Sequence, residues 1–407
     1  MKKPELLIPA RGPEEFDIAL SFGADAVYLG GETLSLRSGA RNFSFEEIRD
    51  AVKKAHHRGK KVYVTANIFA HNEDIREAET YFHKIREAAP DALLISDPGI
   101  FSLCREICPE IDIHISTQAN NTNYRTLLFW RSLGAKRVVL ARELSLKEIR
   151  EIKDKIPPDL EIEAFVHGAM CISYSGRCLL SNYFTGRDAN HGECTHPCRW
   201  KYALMEETRP GQYLPVEEGE KGTYIFNSKD LCMVEHIPEL IEAGIDSLKV
   251  EGRMKTALYV AAAARTYRRA LDDYFLSPEL YRENLGWYRE EIQKCTLRGF
   301  STGFYYGRPK EDAQIYEGST YIQEYVYLGF VEDIIDGRAL IHQKNKFSTG
   351  DSVEIMKPSG ENAAARVESI ISSERGETDS APHPKEELKV KFSVMPEKGD
   401  IIRMKPE

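Results

Sequence analysis

The chain has 407 residues, 42% of them hydrophobic and 29% charged, an ordinary globular composition with room for a large core and a smaller second domain. Its net charge of −9 argues against a protein that coats nucleic acid nonspecifically, without excluding a local basic patch. No stretch approaches the roughly 18 apolar residues of a membrane span, and Leu6-Leu7-Ile8 is too short for a signal peptide, so a cytoplasmic protein with no membrane contact is expected.

In chain order, short β-rich runs alternate with segments of helical period, the pattern of parallel β/α units. Strands are predicted at Glu5–Pro9, Ala26–Gly30, Lys61–Ala66, Ala92–Ser96, Ile111–Ser116, Arg137–Ala141, Leu160–Val166 and Ser247–Glu251, with amphipathic helices such as Phe45–His57 and Asp74–Ala88 between most of them. Eight such units fit a closed TIM-like (β/α)8 barrel better than an open sheet, and the residues leaving the strand C-termini would line its mouth. Those exits carry Asn67, Asp97, Gln118, Arg142, Glu143, His167, Glu251 and Arg253. Asp97, just before Pro98-Gly99, reads first as a helix cap or turn residue, whereas Arg142 and Glu143 follow an apolar run and are expected to point into the mouth.

Helices are expected from Arg253 through Tyr267 to about Tyr274 and over Glu279–Lys294. From Thr320 the composition changes to short β runs at Val326–Glu332, Ala339–Gln343, Ser352–Met356, Ala365–Ile371 and Leu388–Val394. This predicts a small closed C-terminal β-barrel over 320–407, after a barrel domain over 1–310. Ser372–Glu387, polar and Pro-containing, is expected to be a mobile hairpin loop.

The seventh unit is abnormal. An insertion over 168–232 separates its strand from its helix and holds five of the eight cysteines, Cys171, Cys178, Cys194, Cys198 and Cys232. In a reducing compartment, clustered thiols suit metal or redox work better than disulfides. Four thiolates converging from one loop system suit a 4Fe–4S cluster. Zinc is the rival, since His191, Cys194, His196 and Cys198 could form a small knuckle. Cys104 and Cys108, one helical turn apart, and the isolated Cys295 read as small buried hydrophobes.

The nineteen residues from Glu163 to Ser181 contain Glu-x-Phe, then Gly-Ala-Met-Cys, then Gly-x-Cys-x-Leu-Ser. This run resembles the signature of the collagenase-like peptidase family U32, and the likeness extends over the whole chain. The resemblance implies an oxygen-independent hydroxylase carrying a 4Fe–4S cluster on four cysteines, with prephenate as co-substrate in its RNA-modifying members. Carried over by position, the ligands are Cys171, Cys178, Cys194 and Cys232, with Cys198 the alternative fourth. Chains of this length are similar to members that act on tRNA, which implies hydroxylation of a wobble uridine to 5-hydroxyuridine. Hydroxylation of a ribosomal RNA cytidine and a collagenase-like peptidase activity are the alternatives. For the peptidase, no His-Glu-x-x-His or Gly-x-Ser-x-Gly motif is present, leaving only a Cys171 nucleophile with His167 as base.

Prephenate carries two carboxylates, so its site needs fixed cations; Arg142 and Arg253 are the candidates, with His167 as a third and Glu143 beside them. For the tRNA partner, Arg253–Arg269 carries Arg253, Lys255, Arg265, Arg268 and Arg269 without an acidic residue. The insertion adds Arg177, Arg187, Arg199 and Lys201 among Tyr174, Tyr183, Phe184 and Trp200. Cations can hold phosphates and aromatics can stack on an extruded base.

Overall fold

The computed structural model describes residues 2–35, 41–170, 229–295, 299–307 and 325–406, with short isolated stretches between 171 and 228. Eight parallel strands are present: β1 (Glu5–Pro9), β2 (Ala26–Gly30), β3 (Lys61–Ala66), β4 (Ala92–Ile95), β5 (Asp112–Ile115), β6 (Arg137–Val139), β7 (Glu161–Gly168) and, after a short β8 (Asp230–Cys232), β9 (Ser247–Val250). They are ordered β9-β1-β2-β3-β4-β5-β6-β7, and β9 pairs back to β7, which closes the barrel. Every strand expected from sequence is there, because runs such as Ala26–Gly30 are buried on both faces and so lack the alternation of a half-exposed sheet.

Helices α1 (Pro13–Ser21), α2 (Phe45–His57), α3 (Asn72–Ala88), α4 (Pro98–Ile107), α5 (Tyr124–Ser132), α6 (Leu146–Lys155), α7 (Ile237–Glu242) and α8 (Ala257–Leu276) connect or follow the strands. Helix α2 shows how they are specified. Ser44 and Glu47 form a reciprocal capping box, and Ile48, Ala51, Val52 and Ala55 make one buried stripe at helical spacing. Asp97 caps α4, accepting from the backbone N–H groups of Gly99 and Ile100 at 2.8 and 3.0 Å. The chain then adds α9 (Pro278–Glu283), α10 (Leu285–Gln293) and β10 (Phe300–Ser301), which pairs with β8.

The lower barrel interior is charged. Arg137 at the start of β6 reaches Glu5 at 2.6 Å, Glu161 at 2.7 Å and Glu163 at 3.1 Å, and Lys249 meets Glu163 at 2.7 Å. Tyr63 and Ser247 also donate to Glu5. Such charges are tolerated in a core because each is paired and hydrogen-bonded.

The C-terminal strands are β11 (Val326–Ile335), β12 (Arg338–His342), β13 (Ser352–Met356), β14 (Ala363–Ser372), β15 (Gly376–Thr378), β16 (Glu387–Phe392) and β17 (Ile401–Met404). The expected small closed barrel is not what they form. Their order is β13-β17-β11-β12-β16-β14-β15, ending on the edge strand β15, with β13 also touching the first half of β14. The two long strands change partners midway, at register shifts: β11 leaves β17 for β12, and β14 leaves β13 for β16. The result is a sheet folded into two layers, each with open edges. Alternating hydrophobicity reports which face of a strand is buried, and it is the same for a folded-over sheet as for a barrel.

Ser372–Glu387 begins with the expected hairpin, β14 to β15. Glu386 is buried and takes Arg375 at 2.8 Å and the Ser372 hydroxyl, which ties the segment into a packed turn. Between the domains, Arg403 is fully buried and meets Glu291 of α10 at 2.7 Å. Arg265 of α8 lies 3.6 Å from Glu291 and donates to Asn362.

Candidate active site at the strand ends

Three groupings of polar side chains surround the C-terminal ends of the barrel strands. The first is built on β6 and β7. Glu163 and Phe165 alternate into the barrel, and the Arg142 guanidinium lies 4.0 Å from the Phe165 ring centroid while reaching Glu251 at 3.2 Å. Lys249 approaches the same ring at 5.4 Å, so Phe165 lies between the charged barrel floor and the arginine at the mouth. The neighbouring Glu143 is half-buried, and burial raises its carboxyl pKa.

The second grouping centres on Arg253, which is 4% exposed. Its guanidinium donates to the hydroxyls of Ser35 and Thr65, both at 2.8 Å, and to the Asn42 side-chain oxygen at 3.3 Å. A Cβ at Gly30 would lie 2.7 Å from this guanidinium, and one at Gly31 would lie 2.5 Å from the Tyr81 hydroxyl, so paired glycines let both groups approach the backbone. The hydroxyl of Tyr81 is buried without a hydrogen-bond partner. These acceptors fix the orientation of the guanidinium, a group suited to pairing with a carboxylate.

The third grouping holds His167 and Cys232. The β7–β9 register slips between Lys249 and Val250, so His167 pairs with Val250 and leaves the alternation that sends Glu163 and Phe165 inward. Its ring packs instead against Tyr259 and Tyr267 of α8 and Phe300, with centroids at 5.7, 5.6 and 5.5 Å. Cys232 is its direct partner across the antiparallel β7–β8 pair, and the Tyr267 hydroxyl, which donates to the Val166 carbonyl at 2.7 Å, lies 3.9 Å from the Cys232 sulfur. His167 is 1% exposed, and neither ring nitrogen has a hydrogen-bond partner among the described residues. Burial, aided by the nearby Lys255 ammonium, pushes its pKa down to about 3. Burial pushes the Cys232 thiol up to about 12. Cys232 and His167 stand side by side on one face of the β7–β8 pair, one thiol beside one imidazole.

Of the residues expected at the site, Arg142 pairs with Glu251, Glu143 is half-buried, and Arg253 is held by Ser35, Thr65 and Asn42, whereas His167 turns outward under α8. Cys171, Cys178, Cys194 and Cys198 lie outside the described residues, as do Arg177, Arg199, Lys201, Tyr174, Tyr183, Phe184 and Trp200. Among the described residues no three His, Cys, Asp or Glu side chains form a metal-binding group. Cys104, Cys108 and Cys295 are all fully buried. The basic run on α8 is largely spent on ion pairs: Arg268 meets Asp25 at 2.9 Å, Arg269 meets Glu361 at 3.2 Å, and Arg265 belongs to the domain interface. Ser35, Asn42, Thr65, Tyr259 and Tyr267 were not legible as site residues; only the Gly30-Gly31 pair at a strand exit hinted at a close approach. The buried amide oxygens of Gln118 and Asn120, after β5, have no hydrogen-bond partner. No helix among the described residues is long and apolar enough to cross a membrane.

The chain is thus a (β/α)8 barrel with polar groupings at its strand ends and a β-sheet domain docked on its flank. Residues 11–315 match Peptidase family U32, residues 323–403 match the Peptidase family U32 C-terminal domain, and the chain belongs to this family. It is 42% identical over 393 residues, 96% of this chain and 92% of the other, to tRNA hydroxylation protein P1 of Bacillus subtilis. To tRNA hydroxylation protein P of Escherichia coli it is 40% identical over 401 residues, 88% of this chain and 87% of the other. An uncharacterized protease of Methanocaldococcus jannaschii is 43% identical over 305 residues, 74% of this chain and 73% of the other.

Proposed function

We propose that this protein modifies tRNA, hydroxylating a wobble uridine to 5-hydroxyuridine without molecular oxygen, with prephenate as co-substrate and a 4Fe–4S cluster as cofactor. The observation that carries the reading is the similarity to tRNA hydroxylation protein P1 across 96% of the chain, on both domains. Cys171, Cys178, Cys194 and Cys232 would hold the cluster, with Cys198 the alternative to Cys232. When bound, the cluster supplies the one-electron chemistry that no protein side chain offers.

The chain's own groups then have separable tasks. Arg142 and Arg253 would take the two prephenate carboxylates, in a site where low water content strengthens charge-assisted bonds. Glu143, with its carboxyl pKa raised by burial, is suited to hold and pass on a proton. His167 lies on the cysteine side of β7. The peptidase alternative is less well supported, because a Cys171 nucleophile would need His167 as an oriented base, and no carboxylate or amide holds that ring.

Nucleoside mass spectrometry of tRNA and ribosomal RNA from a strain lacking the gene tests the reading. Loss of 5-hydroxyuridine and its derivatives from tRNA is expected. Loss of a hydroxylated cytidine from ribosomal RNA instead would move the substrate, and intact nucleosides in both pools, with no redundant pathway, would end the proposal.

A further inference from the structure

We infer that His167 donates a hydrogen bond to the metal centre that Cys232 helps to hold, and thereby sets that centre's reduction potential as a positioning residue rather than a ligand. The inference rests on the proposed function above, since it requires a cluster at Cys232.

Three independent observations converge on this histidine. It is 1% exposed, and both ring nitrogens are buried without a partner among the described residues. An unmade hydrogen bond at such a group costs on the order of 1–3 kcal/mol, and most buried polar groups in folded proteins are satisfied. Second, His167 stands opposite Cys232 in the β7–β8 register, which puts both side chains on one face about 5 Å apart at their Cβ atoms. Tyr267 contacts both, edge-on to the imidazole and through its hydroxyl to the sulfur.

The third observation is the backbone work that aims the ring there. With strict alternation His167 would follow Glu163 and Phe165 into the barrel; the register slip before Val250 turns it out. The next residue, Gly168, sits at φ +106°, and a Cβ there would lie 2.4 Å from the Glu251 carbonyl oxygen. Only glycine fits this position, so the chain leaves β7 sharply and the histidine stays beside Cys232.

Three aromatic rings then fix its orientation, so an N–H can be presented without reorganisation. A hydrogen bond to a thiolate or sulfide withdraws electron density and favours the reduced, more negative state, which raises the potential. Four cysteines already fill the coordination of a 4Fe–4S cluster, which leaves the imidazole the outer role.

The test uses the full chain, reconstituted without oxygen, as wild type, His167→Phe and His167→Gln. Iron per chain and the midpoint potential from a redox titration followed by electron paramagnetic resonance are measured. All three proteins are expected to retain iron. His167→Phe should shift to lower potential, and His167→Gln, which keeps an N–H donor, should recover part of the shift. An unchanged potential in iron-loaded His167→Phe overturns the inference alone. Loss of iron from both variants overturns it in favour of a ligand or folding role. A wild-type protein that takes up no iron overturns the cluster reading and this inference together.

Discussion

His167 and Cys232 are direct partners across the β7–β8 pair, while Phe165, two residues earlier on β7, carries Arg142 on the opposite side of the barrel wall. One strand therefore presents a cation to the barrel mouth and an imidazole to the cysteine-bearing segment. The separation is produced by the register slip between Lys249 and Val250. A mechanism that needs a small anionic co-substrate close to a redox centre, but not in contact with the same side chains, is served by such a wall.

Replacement of the cysteines by alanine should divide them into two groups. Cys171→Ala, Cys178→Ala, Cys194→Ala and Cys232→Ala are expected to abolish iron binding after anaerobic reconstitution, because each removes a thiolate ligand. Cys104→Ala, Cys108→Ala and Cys295→Ala should retain full iron and lose only stability, by about 1 kcal/mol, since these thiols are buried among apolar neighbours. Retained iron in Cys232→Ala with loss in Cys198→Ala would transfer the fourth ligand to Cys198.

The domain interface predicts a large stability effect far from the site. Arg403 and Glu291 are 0% and 1% exposed and 2.7 Å apart. Arg403→Ala leaves Glu291 buried with less compensation and should cost roughly 3–5 kcal/mol in denaturant unfolding. A single-variant cost below about 1 kcal/mol would show that the pair is not what holds the domains together.

Much of the barrel was readable because burial on both faces gives continuous apolar runs, as at Ala26–Gly30, and because caps such as Ser44 with Glu47 mark helix starts. The charged floor was not readable: Glu5, Arg137, Glu161 and Lys249 look like surface residues until closure of the sheet brings the ends of β1, β6, β7 and β9 together. The outward turn of His167 was also hidden, since a one-residue slip depends on the neighbouring strand and leaves no local pattern. Likewise the cations on α8 looked available for RNA, but their acidic partners come from distant positions such as Asp25 and Glu361.

His114 should give the fold a measurable pH dependence. It is 3% exposed, packs edge-on to Tyr63 at 4.7 Å, and has an Nδ1 without a partner. Burial, reinforced by Arg137 and Lys249, holds its pKa well below the ordinary 6.5. The unfolded chain therefore binds a proton below about pH 6.5 that the folded chain refuses, so this contribution to stability is intact above that pH and is lost as pH falls. Below pH 6.5 the decline should steepen with falling pH toward the one-proton limit of about 1.4 kcal/mol per pH unit. Urea midpoints for wild type and His114→Phe, compared at pH 7.5 and 5.5, check it: the variant should lose less stability on acidification. Equal losses would assign the slope to other groups.

The substrate assignment meets its sharpest test at the two arginines. Arg253 is held by Ser35 and Thr65, whose hydroxyls also bond each other at 2.6 Å, so its removal leaves a cluster that can satisfy itself. Arg142 rests on Phe165, which stays packed without it, and its ion-pair partner Glu251 is not fully buried. Arg142→Ala and Arg253→Ala are therefore expected to fold and to retain iron. If each arginine makes a charge-assisted bond to a prephenate carboxylate, worth about 1.5–3 kcal/mol, each loss should lower tRNA 5-hydroxyuridine formation roughly 10- to 100-fold at limiting prephenate. Lysine at either position keeps the charge but not the planar fork, so Arg142→Lys and Arg253→Lys should restore only part of the activity. Raising prephenate should rescue the variants, because the lost interaction is a binding one, whereas raising tRNA should not. Rescue by tRNA alone would reassign these cations to the nucleic acid, and undiminished modification in both alanine variants would remove them from the site.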